Sequence, residues 1–212
     1  MHKKNIILGA GRHALETFRV YLQTNTEESF AGFYEDKTLS NIDELEGYKV
    51  KDINAILLDK NAPEQFNIVT AIGSLARISM IQKLEEAGFE FFNIFAKGLE
   101  LQKDFKCGKD VYIAQGAVIT ANVNLGSHVI VNVKTSISHD VSIGNNVIIS
   151  PGVTICGKVK IGNNVFIGAG ATIIDEINIG DNCLIAAGAC VTRSVDSNTQ
   201  VGGVPAKFMK NR

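Results

Sequence analysis

The stretch ISHDVSIGNNVIISPGVTICGKVKIGNNVFIGAG, residues 137–170, has an isoleucine at every sixth position. The six-residue period runs without an insertion from Cys107 to Val195 and makes fifteen hexads, each beginning with an apolar residue. The residue four positions further on is also small or apolar in every hexad except the one that contains Thr135. A helix cannot place residues six apart on one face, whereas short β-branched strands that turn every six residues can. The period therefore predicts a parallel β-helix with two inward-facing residues in each hexad.

A second period, of eighteen residues, indicates that three hexads make one coil and that the fifteen hexads make five coils. We expect glycine at these corners because the turns need a positive φ. A stack of coils also needs a cap at each end, which the flanking regions should supply. The two glycine series, with Lys134 in the one gap of the second, are Gly108, Gly126, Gly144, Gly162 and Gly180, and Gly116, Gly152, Gly170 and Gly188.

Composition excludes several classes of function. A net charge of −1 over 212 residues argues against nucleic-acid binding, which needs a clustered basic surface. The apolar runs are too short for a membrane span and nothing resembles a signal peptide, so we expect no membrane association and a cytoplasmic location. The four cysteines form no CxxC pair and are interpreted mainly as small buried hydrophobes, with Cys156 close to a candidate site. Of the histidines, only His128 and His139 lie in the coils, and they are out of register with each other, so no metal site is predicted.

The chain before the coils begins with a strand at residues 4–8, a turn containing Gly9 and Gly11, and a helix. A second strand ends at Glu35 and Asp36, about twenty residues beyond the turn, which satisfies a loose dinucleotide-binding fingerprint. The region is long enough for only one half of the doubly wound fold, so a single nucleotide fits better than a dinucleotide. A small α/β cap with an economical turn is the alternative. Further strands are expected at residues 55–58, 66–72 and 89–94. The predicted domains are 1–96, a half-Rossmann α/β domain, and 97–212, the β-helix with a C-terminal tail that packs beside it.

His139 is the coil histidine that stands next to an acid, Asp140, and it lies eighteen residues before Gly157. Stacked strands are about 4.8 Å apart. A general base and a backbone N–H one coil apart can flank the same reacting atom, the base taking a proton and the N–H receiving the charge of an oxyanion. Gly157 has no side chain to block that approach. A plain surface histidine is the alternative.

Three features together resemble one family. They are the turn Gly9-Ala10-Gly11-Arg12-His13, the stretch from Asn132 into Ile137-Ser138-His139-Asp140, and the ending Val201-Gly202-Gly203-Val204-Pro205-Ala206-Lys207. The chain is similar throughout its length to the bacterial nucleotide-sugar N-acetyltransferases of the sialic-acid O-acetyltransferase-like group, which have a left-handed β-helix. The nearest type acylates UDP-4-amino-4,6-dideoxyhexoses.

The resemblance implies a role for each matched residue. His139 would be the general base, Asp140 its supporting acid, and the N–H of Gly157 the oxyanion donor. The nucleotide sugar would be bound by Gly9, Gly11, Arg12, His13, Glu35, Asp36, Gly73 and Asn132. Coenzyme A would lie along the coils beside Gly157, Ala169, Ala187, Pro205, Ala206 and Lys207. The family also implies a homotrimer with active sites between subunits.

The expected reaction is therefore acetyl transfer from acetyl-CoA to the 4-amino group of a nucleotide-linked 4-amino-4,6-dideoxyhexose, for a surface glycan. The nucleotide base stays open. Three alternatives stay open as well: a sugar O-acetyltransferase, transfer of a longer hydroxyacyl group from its CoA thioester, and a non-catalytic scaffold.

Overall fold

A computed structural model describes residues 3–212. The chain divides into two compact units, the first ending at Lys97 and the second running from Gly98 to Arg212. Within residues 3–212, none of the helices combines the length and the hydrophobicity needed to cross a membrane.

The first unit alternates strands and helices. Its elements are β1 Lys4–Leu8, α1 Arg12–Tyr21, a 3₁₀ helix Glu27–Ser29, β2 Phe30–Glu35, β3 Glu44–Leu45, β4 Tyr48–Lys49, β5 Lys51–Asp52, α2 Ile53–Leu57, α3 Ala62–Gln65, β6 Phe66–Thr70, a 3₁₀ helix Leu75–Arg77, α4 Ile78–Glu86, β7 Glu90–Phe91 and β8 Ile94–Phe95.

A parallel sheet in the order β5-β2-β1-β6-β7 organises this unit. The chain leaves β1 towards β2 on one side and later returns to β6 on the other side. The strand order therefore reverses at the carboxyl end of β1, which is the place where open parallel sheets bind ligands. The predicted strands at 4–8 and 66–72 are confirmed as β1 and β6.

The predicted strand at residues 55–58 is wrong, because this stretch belongs to helix α2. The side chain of Asp52 accepts a hydrogen bond from the N–H of Asn54 and so caps the helix. Ile53 and Ile56, three residues apart, are then buried on one face. A four-residue apolar run fits either a strand or a buried helical turn, and the cap decides between them.

Side-chain alternation along the strands builds a core on each face of the sheet. Ile6 and Leu8 of β1 pack in one buried cluster with Leu84 of α4. On the other face, the ring of Phe18 in α1 packs edge-on against that of Phe33 in β2, with centroids 5.2 Å apart. Helices thus cover both faces, as a parallel sheet requires.

The second unit is a regular stack of two-residue strands. Its elements are β9 Lys106–Cys107, β10 Tyr112–Ile113, β11 Val118–Ile119, β12 Asn124–Leu125, β13 Ile130–Val131, β14 Ser136–Ile137, β15 Ser142–Ile143, β16 Ile148–Ile149, β17 Thr154–Ile155, β18 Lys160–Ile161, β19 Phe166–Ile167, β20 Thr172–Ile173, β21 Asn178–Ile179, β22 Leu184–Ile185, β23 Cys190–Val191, β24 Thr199–Gly202 and β25 Lys207–Asn211.

Strands eighteen residues apart pair in parallel, so the predicted parallel β-helix is confirmed. Ile137 of β14, for example, lies between Ile119 and Ile155, and each of the three isoleucines is buried. The coil turns at three corners, which we name by their residues. The His139 corner comprises residues 121–122, 139–140, 157–158 and 175–176; the asparagine corner comprises 109–110, 127–128, 145–146, 163–164 and 181–182; and the alanine corner comprises 115–116, 133–134, 151–152, 169–170 and 187–188.

Glycine serves different purposes in its two series. The expectation of positive φ holds for the series at the alanine corner, such as Gly152 with φ 69°, and Lys134 in the gap also has φ 56°. It is wrong for the series before the asparagine corner, where the following asparagines take the positive φ instead. There, glycine is required by close approach, because a Cβ on Gly126 would lie 2.6 Å from the backbone of Gly144 in the next coil.

A polar ladder runs along the asparagine corner. The amide of Asn146 donates to the side-chain oxygen of Asn164 at 3.0 Å, and Asn164 donates onward to Asn182 at 3.2 Å. Towards the first coil, buried His128 and buried Asp110 take the corresponding positions, with Nδ1 and Oδ2 2.8 Å apart. His128 thus belongs to the core of the stack rather than to its surface.

The tail does more than pack beside the repeat. Strand β24 continues the stack by pairing in parallel with β22, but with a shortened step in which Val201 pairs with Ile185. Strand β25 then returns antiparallel to β24. The turn between them contains a cis peptide bond before Pro205.

Candidate active site

His139 is held by the acid beside it. Its Nδ1 lies 2.9 Å from Oδ2 of Asp140, and both side chains are exposed. An acceptor on Nδ1 keeps the proton of a neutral imidazole on that nitrogen and leaves the lone pair on Nε2. The pair therefore presents Nε2 as a base.

Asp140 is itself held in place. Its backbone takes the left-handed conformation at φ 61°, which turns the side chain back towards His139. Its second oxygen, Oδ1, accepts a hydrogen bond of 2.7 Å from the amide of Asn122, one coil earlier. The hydrogen bond from Asn122, and secondarily the one from His139, lowers the pKa of Asp140. Asp140 is therefore a carboxylate at neutral pH.

Gly157 lies directly beneath the imidazole ring, as the eighteen-residue register predicts. A Cβ built on Gly157 would lie 2.7 Å from Cε1 and 2.8 Å from Nε2 of His139. The N–H of Lys158 also donates to the carbonyl of His139 at 2.9 Å and locks the two coils in this register. Any side chain at position 157 would displace the candidate base.

The backbone N–H of Gly157 differs from expectation. The sequence predicts that it receives the charge of an oxyanion, and in the structure it donates to Oδ1 of Asp175 at 2.9 Å. Asp175 lies one further coil along the same corner. In this state the expected oxyanion donor is occupied by a carboxylate.

Sequence reasoning missed two residues of this corner, Asn122 and Asp175. Both are found by counting eighteen residues, backwards from Asp140 and forwards from Gly157. The register that joins His139 to Gly157 continues along the whole corner and brings both polar side chains into the site.

The residues expected to bind coenzyme A lie at the alanine corner and beyond it. Ala169 and Ala187 are exposed and stacked, since the carbonyl of Ala169 accepts from the N–H of Gly188 at 2.8 Å. The tail docks on strand β23, where Ala206 donates its N–H to the carbonyl of Cys190 at 2.7 Å. Pro205 and Lys207 on either side of Ala206 are exposed. Five of the six predicted residues thus lie at the alanine corner or in the tail, whereas Gly157 lies at the His139 corner.

Asn132 is half-buried just before the alanine corner. Its amide donates to the carbonyl of Ile149 at 2.9 Å, in the next coil. The structure thus gives Asn132 a bond within the stack, and its predicted contact with the hexose stays a prediction.

In the first unit, a cavity of about 400 Å³ opens at the carboxyl ends of β1, β2 and β6. Two of the predicted residues, Glu35 and Asp36, line it. Two cations, Arg77 and Lys83, line it as well. The remaining lining residues are Leu8, Leu39, Ile72, Ser74, Ala76, Ser79 and Met80.

Asp36 is a well-anchored carboxylate. Its Oδ1 accepts hydrogen bonds from the hydroxyl and the backbone N–H of Thr38, at 2.6 and 3.0 Å, and from the amide of Asn54 at 3.1 Å. These bonds, those of Thr38 foremost, lower the pKa of Asp36. The other oxygen, Oδ2, accepts none of these three bonds.

The glycine turn after β1 is shaped by close packing. Gly9 has φ 121°, and a Cβ there would lie 2.8 Å from the carbonyl oxygen of Ala71, so only glycine fits. Gly11 begins helix α1 without a side-chain cap, which leaves the first N–H groups of the helix without that partner. Gly73 has open space around it, and Arg12, the first residue of α1, is exposed.

His13 follows in the first turn of α1. Burial lowers the pKa of His13, although Glu16, whose Oε2 lies 3.6 Å from Nδ1, opposes the shift. Its imidazole is therefore neutral at pH 7.

No group of three or more histidine, cysteine, aspartate or glutamate side chains within residues 3–212 is arranged to hold a metal ion. His139 with Asp140 and His128 with Asp110 are groups of two and fall short of this number.

Comparisons with known proteins now bear on the fold. Residues 158–193 match the family model described as bacterial transferase hexapeptide (six repeats). A search of curated proteins finds no match.

Solved structures match over the whole chain. Perosamine N-acetyltransferase from Caulobacter crescentus, solved with CoA and GDP-perosamine, is 22% identical with a TM-score of 0.87, over 100% of this chain and 99% of that one. The acetyltransferase domain of PglB from Neisseria gonorrhoeae, solved with acetyl coenzyme A, is 23% identical with a TM-score of 0.87, over 99% and 100% of the two chains. This chain shares their fold. The likeness, with the repeat match, fits the expected left-handed β-helix and supports the resemblance stated above.

A more distant match covers less of the chain. AntD, an N-acyltransferase from Bacillus cereus solved with dTDP and 3-hydroxybutyryl-CoA, is 18% identical with a TM-score of 0.53, over 62% of this chain and 88% of that one.

Proposed function

We propose that this protein transfers an acetyl group from acetyl-CoA to the 4-amino group of a nucleotide-linked 4-amino-4,6-dideoxyhexose. The observation that carries the proposal is the imidazole of His139, anchored by Asp140 through Nδ1, with Nε2 directly over Gly157. The full-length likeness to two acetyltransferases, one of them solved with CoA and GDP-perosamine, supports a nucleotide-linked amino sugar as the acceptor.

The chemistry needs one base and one place for negative charge. The neutral amine attacks the thioester carbon, a C–N bond forms, and the carbonyl oxygen becomes an oxyanion. Nε2 of His139 takes the proton that the nitrogen loses, and Asp140 stabilises the imidazolium. When the intermediate collapses, the C–S bond breaks, coenzyme A leaves as a thiolate, and the proton passes to sulfur. The products are the amide and free coenzyme A.

The half-Rossmann unit would bind the nucleotide. Three features support this: the reversal of strand order at the carboxyl end of β1, the cavity there, and the uncapped start of helix α1. N–H groups at a helix start favour phosphate, and the second carboxylate oxygen of Asp36 suits an N–H or hydroxyl of the nucleoside. Replacing Asp36 by alanine should then raise the KM for the nucleotide sugar and leave the KM for acetyl-CoA unchanged.

Coenzyme A would extend along the stack between two corners. Six residues separate Ala169, at the alanine corner, from Asp175, at the His139 corner, which is a path of at most about 20 Å. The extended pantetheine arm of coenzyme A suits a path of this length. Binding of the nucleotide end near Ala187 and Lys207 would bring the thioester to His139.

The proposal includes a cytoplasmic homotrimer with active sites between subunits, as the resemblance implies. Sedimentation velocity measures this directly, and a monomer that is fully active at assay concentration would contradict it.

Two alternatives have their own tests. Transfer of a longer hydroxyacyl group is favoured by the partial likeness to AntD, which was solved with 3-hydroxybutyryl-CoA. A direct comparison of acetyl-CoA with 3-hydroxybutyryl-CoA as donors decides between the two. A sugar O-acetyltransferase would not need a nucleotide, and nucleotide sugars would then give no thermal stabilisation.

The decisive experiment is a screen of 4-amino-4,6-dideoxyhexoses linked to UDP, dTDP and GDP, with acetyl-CoA as donor and thiol release as the readout. His139→Ala should lower kcat by about 10²- to 10⁴-fold with little change in sugar KM, because a positioned base contributes that much. Asn163→Ala is the matched control, since Asn163 has the same place in its hexad at another corner. Near-wild-type turnover by His139→Ala, or no thiol release with any sugar, would contradict the proposal.

A further inference from the structure

The side chain of Asp175 accepts a hydrogen bond from the backbone N–H of Gly157, the group that the proposed reaction needs for its oxyanion. Its Oδ1 accepts the N–H of Gly157 at 2.9 Å, and the N–H of Glu176 donates to the carbonyl of Gly157 at 2.9 Å. The second bond fixes the register of the two coils, so Asp175 stays beside Gly157 whichever way its side chain turns. The side chain itself is exposed and therefore able to rotate.

The carboxylate and the imidazole face each other across Gly157. A point at the Cβ position of Gly157 lies 2.8 Å from Nε2 of His139 and 3.2 Å from Oδ1 of Asp175, so the two atoms are no more than about 6 Å apart. A reacting carbon between them has its nucleophile on the His139 side and its oxygen on the Asp175 side. The carboxylate oxygen thus lies where the oxygen of a bound thioester would have to go.

Only one of these oxygens can use the amide. A backbone N–H has a single proton, and a carboxylate competes well for it because charge strengthens the hydrogen bond. An oxyanion forming beside an undisplaced carboxylate would also be repelled by its charge. The carboxylate must therefore leave before an oxyanion forms. Lys158, one coil earlier at the same corner, is a nearby cation: its ammonium donates to Glu176 at 2.9 Å, and Asp175 raises the pKa of Lys158 after Glu176 and Asp140.

A purely structural role is the other explanation for this bond. At the asparagine corner, the N–H of Asn163 donates in the same way to Oδ1 of Asp181 at 2.6 Å, and the N–H of Asn145 donates to Asn163 at 2.8 Å. There the pattern repeats from coil to coil and builds a continuous ladder. At the His139 corner the N–H of Asn122 also donates to a carboxylate, Oδ2 of Asp104 at 2.9 Å, but that acceptor lies one coil back. Among the residues of this corner that the structure describes, only Gly157, beneath the candidate base, donates its N–H to a side chain of the following coil.

We propose that Asp175 is a placeholder for the acyl oxygen: its carboxylate holds the Gly157 N–H in the unloaded site and is displaced by the carbonyl of the incoming thioester. The inference rests on the proposed function. Its direct consequence is a cost that acetyl-CoA pays on binding and free coenzyme A does not, because free coenzyme A has no thioester carbonyl.

The test is calorimetric titration of acetyl-CoA and of coenzyme A into the full-length wild type and into Asp175→Ala. Asp175→Ala should tighten acetyl-CoA binding by about three- to tenfold, the range of one hydrogen bond, and change coenzyme A binding by less than about twofold. Asp175→Asn should lie between, because a neutral amide oxygen holds the N–H less strongly. The matched control is Asp181→Ala, which removes the equivalent bond at the asparagine corner and should affect neither ligand.

Each other outcome has a definite meaning. Equal effects of Asp175→Ala on the two ligands, or weaker binding of acetyl-CoA, would overturn the placeholder role. The bond between Asp175 and Gly157 would then serve only to hold adjacent coils together. A wild type that binds coenzyme A but shows no change in either variant would also overturn it, while the proposed function stands. A wild type that binds neither ligand would refute the proposed function itself and the inference with it.

Discussion

Replacing Gly157 by alanine tests whether the space under the imidazole is what makes His139 a base. The new Cβ would lie 2.7 and 2.8 Å from Cε1 and Nε2 of His139. Ordinary contacts between such atoms are about 3.5–4.0 Å. The imidazole must therefore retreat by about 1 Å, and a displacement of that size at a reacting group costs about 10²-fold in rate.

The fold should tolerate this change. Gly157 does not have a positive φ, and its close neighbours are the ends of two exposed side chains, those of His139 and Asp175. The free energy of unfolding should change by less than about 0.5 kcal/mol, since exposed side chains can move aside. Thermal unfolding of Gly157→Ala should thus follow that of the wild type, while kcat falls.

A double-mutant cycle isolates the cause. If Gly157→Ala acts by pushing the imidazole away, it has nothing left to push in a His139→Ala background. The double variant should then have the activity of His139→Ala alone, measured as kcat by thiol release. Losses that multiply in the double variant would refute this reasoning and place the effect in the backbone amide or in donor binding.

Three further predictions concern stability. Gly126→Ala should unfold the β-helix or lower its stability by several kcal/mol, because the new Cβ would lie 2.6 Å from the backbone of the next coil. Gly152→Ala has open space around it and should lower the stability by only about 1–2 kcal/mol, because of its positive φ. Equal unfolding midpoints of the two variants in urea would contradict this. Asp110→Gly, which leaves a buried imidazole without its acid, should cost about 3 kcal/mol, against less than about 1 kcal/mol for exposed Asn182→Gly at the same corner, as measured by denaturant titration. Burial lowers the pKa of His13 in the folded chain. Below about pH 6.5 the unfolded chain therefore binds more protons than the folded chain, and the free energy of unfolding decreases as the pH is lowered. His13→Gln should lose less stability than the wild type between pH 7 and pH 5, and parallel pH profiles would be evidence against it.

The β-helix could be predicted from the sequence because its strand pairing follows a fixed separation along the chain. Each strand pairs with the strand eighteen residues away, so a count along the chain gives both the core and the neighbours of every corner residue. The count alone places His139 beside Gly157. The same count contains Asn122 and Asp175, whose polar groups complete the corner.

Other features could not be obtained by counting. The acceptor that a backbone N–H chooses depends on side-chain rotation, and the sequence did not reveal that Asp175 takes the amide of Gly157. The helical turn at residues 53–57 was missed because a short apolar run has no period of its own, and one hydrogen bond from Asp52 determines its conformation. Which nucleotide base the protein prefers depends on the positions of a few polar atoms around Asp36, and the spacing of residues along the chain does not determine those positions.

The reversed direction of strand β25 has a consequence for association. A parallel stack with a bare last coil is a template on which another chain can add strands without limit. On the sheet that contains β24, the next position is taken by a strand of opposite direction, which ends the parallel series at this edge. That strand also brings two lysines, Lys207 and Lys210, to the edge. The tail thus disfavours addition on this side of the stack through its charge, and a chain shortened before Lys207 should be more prone to form fibres.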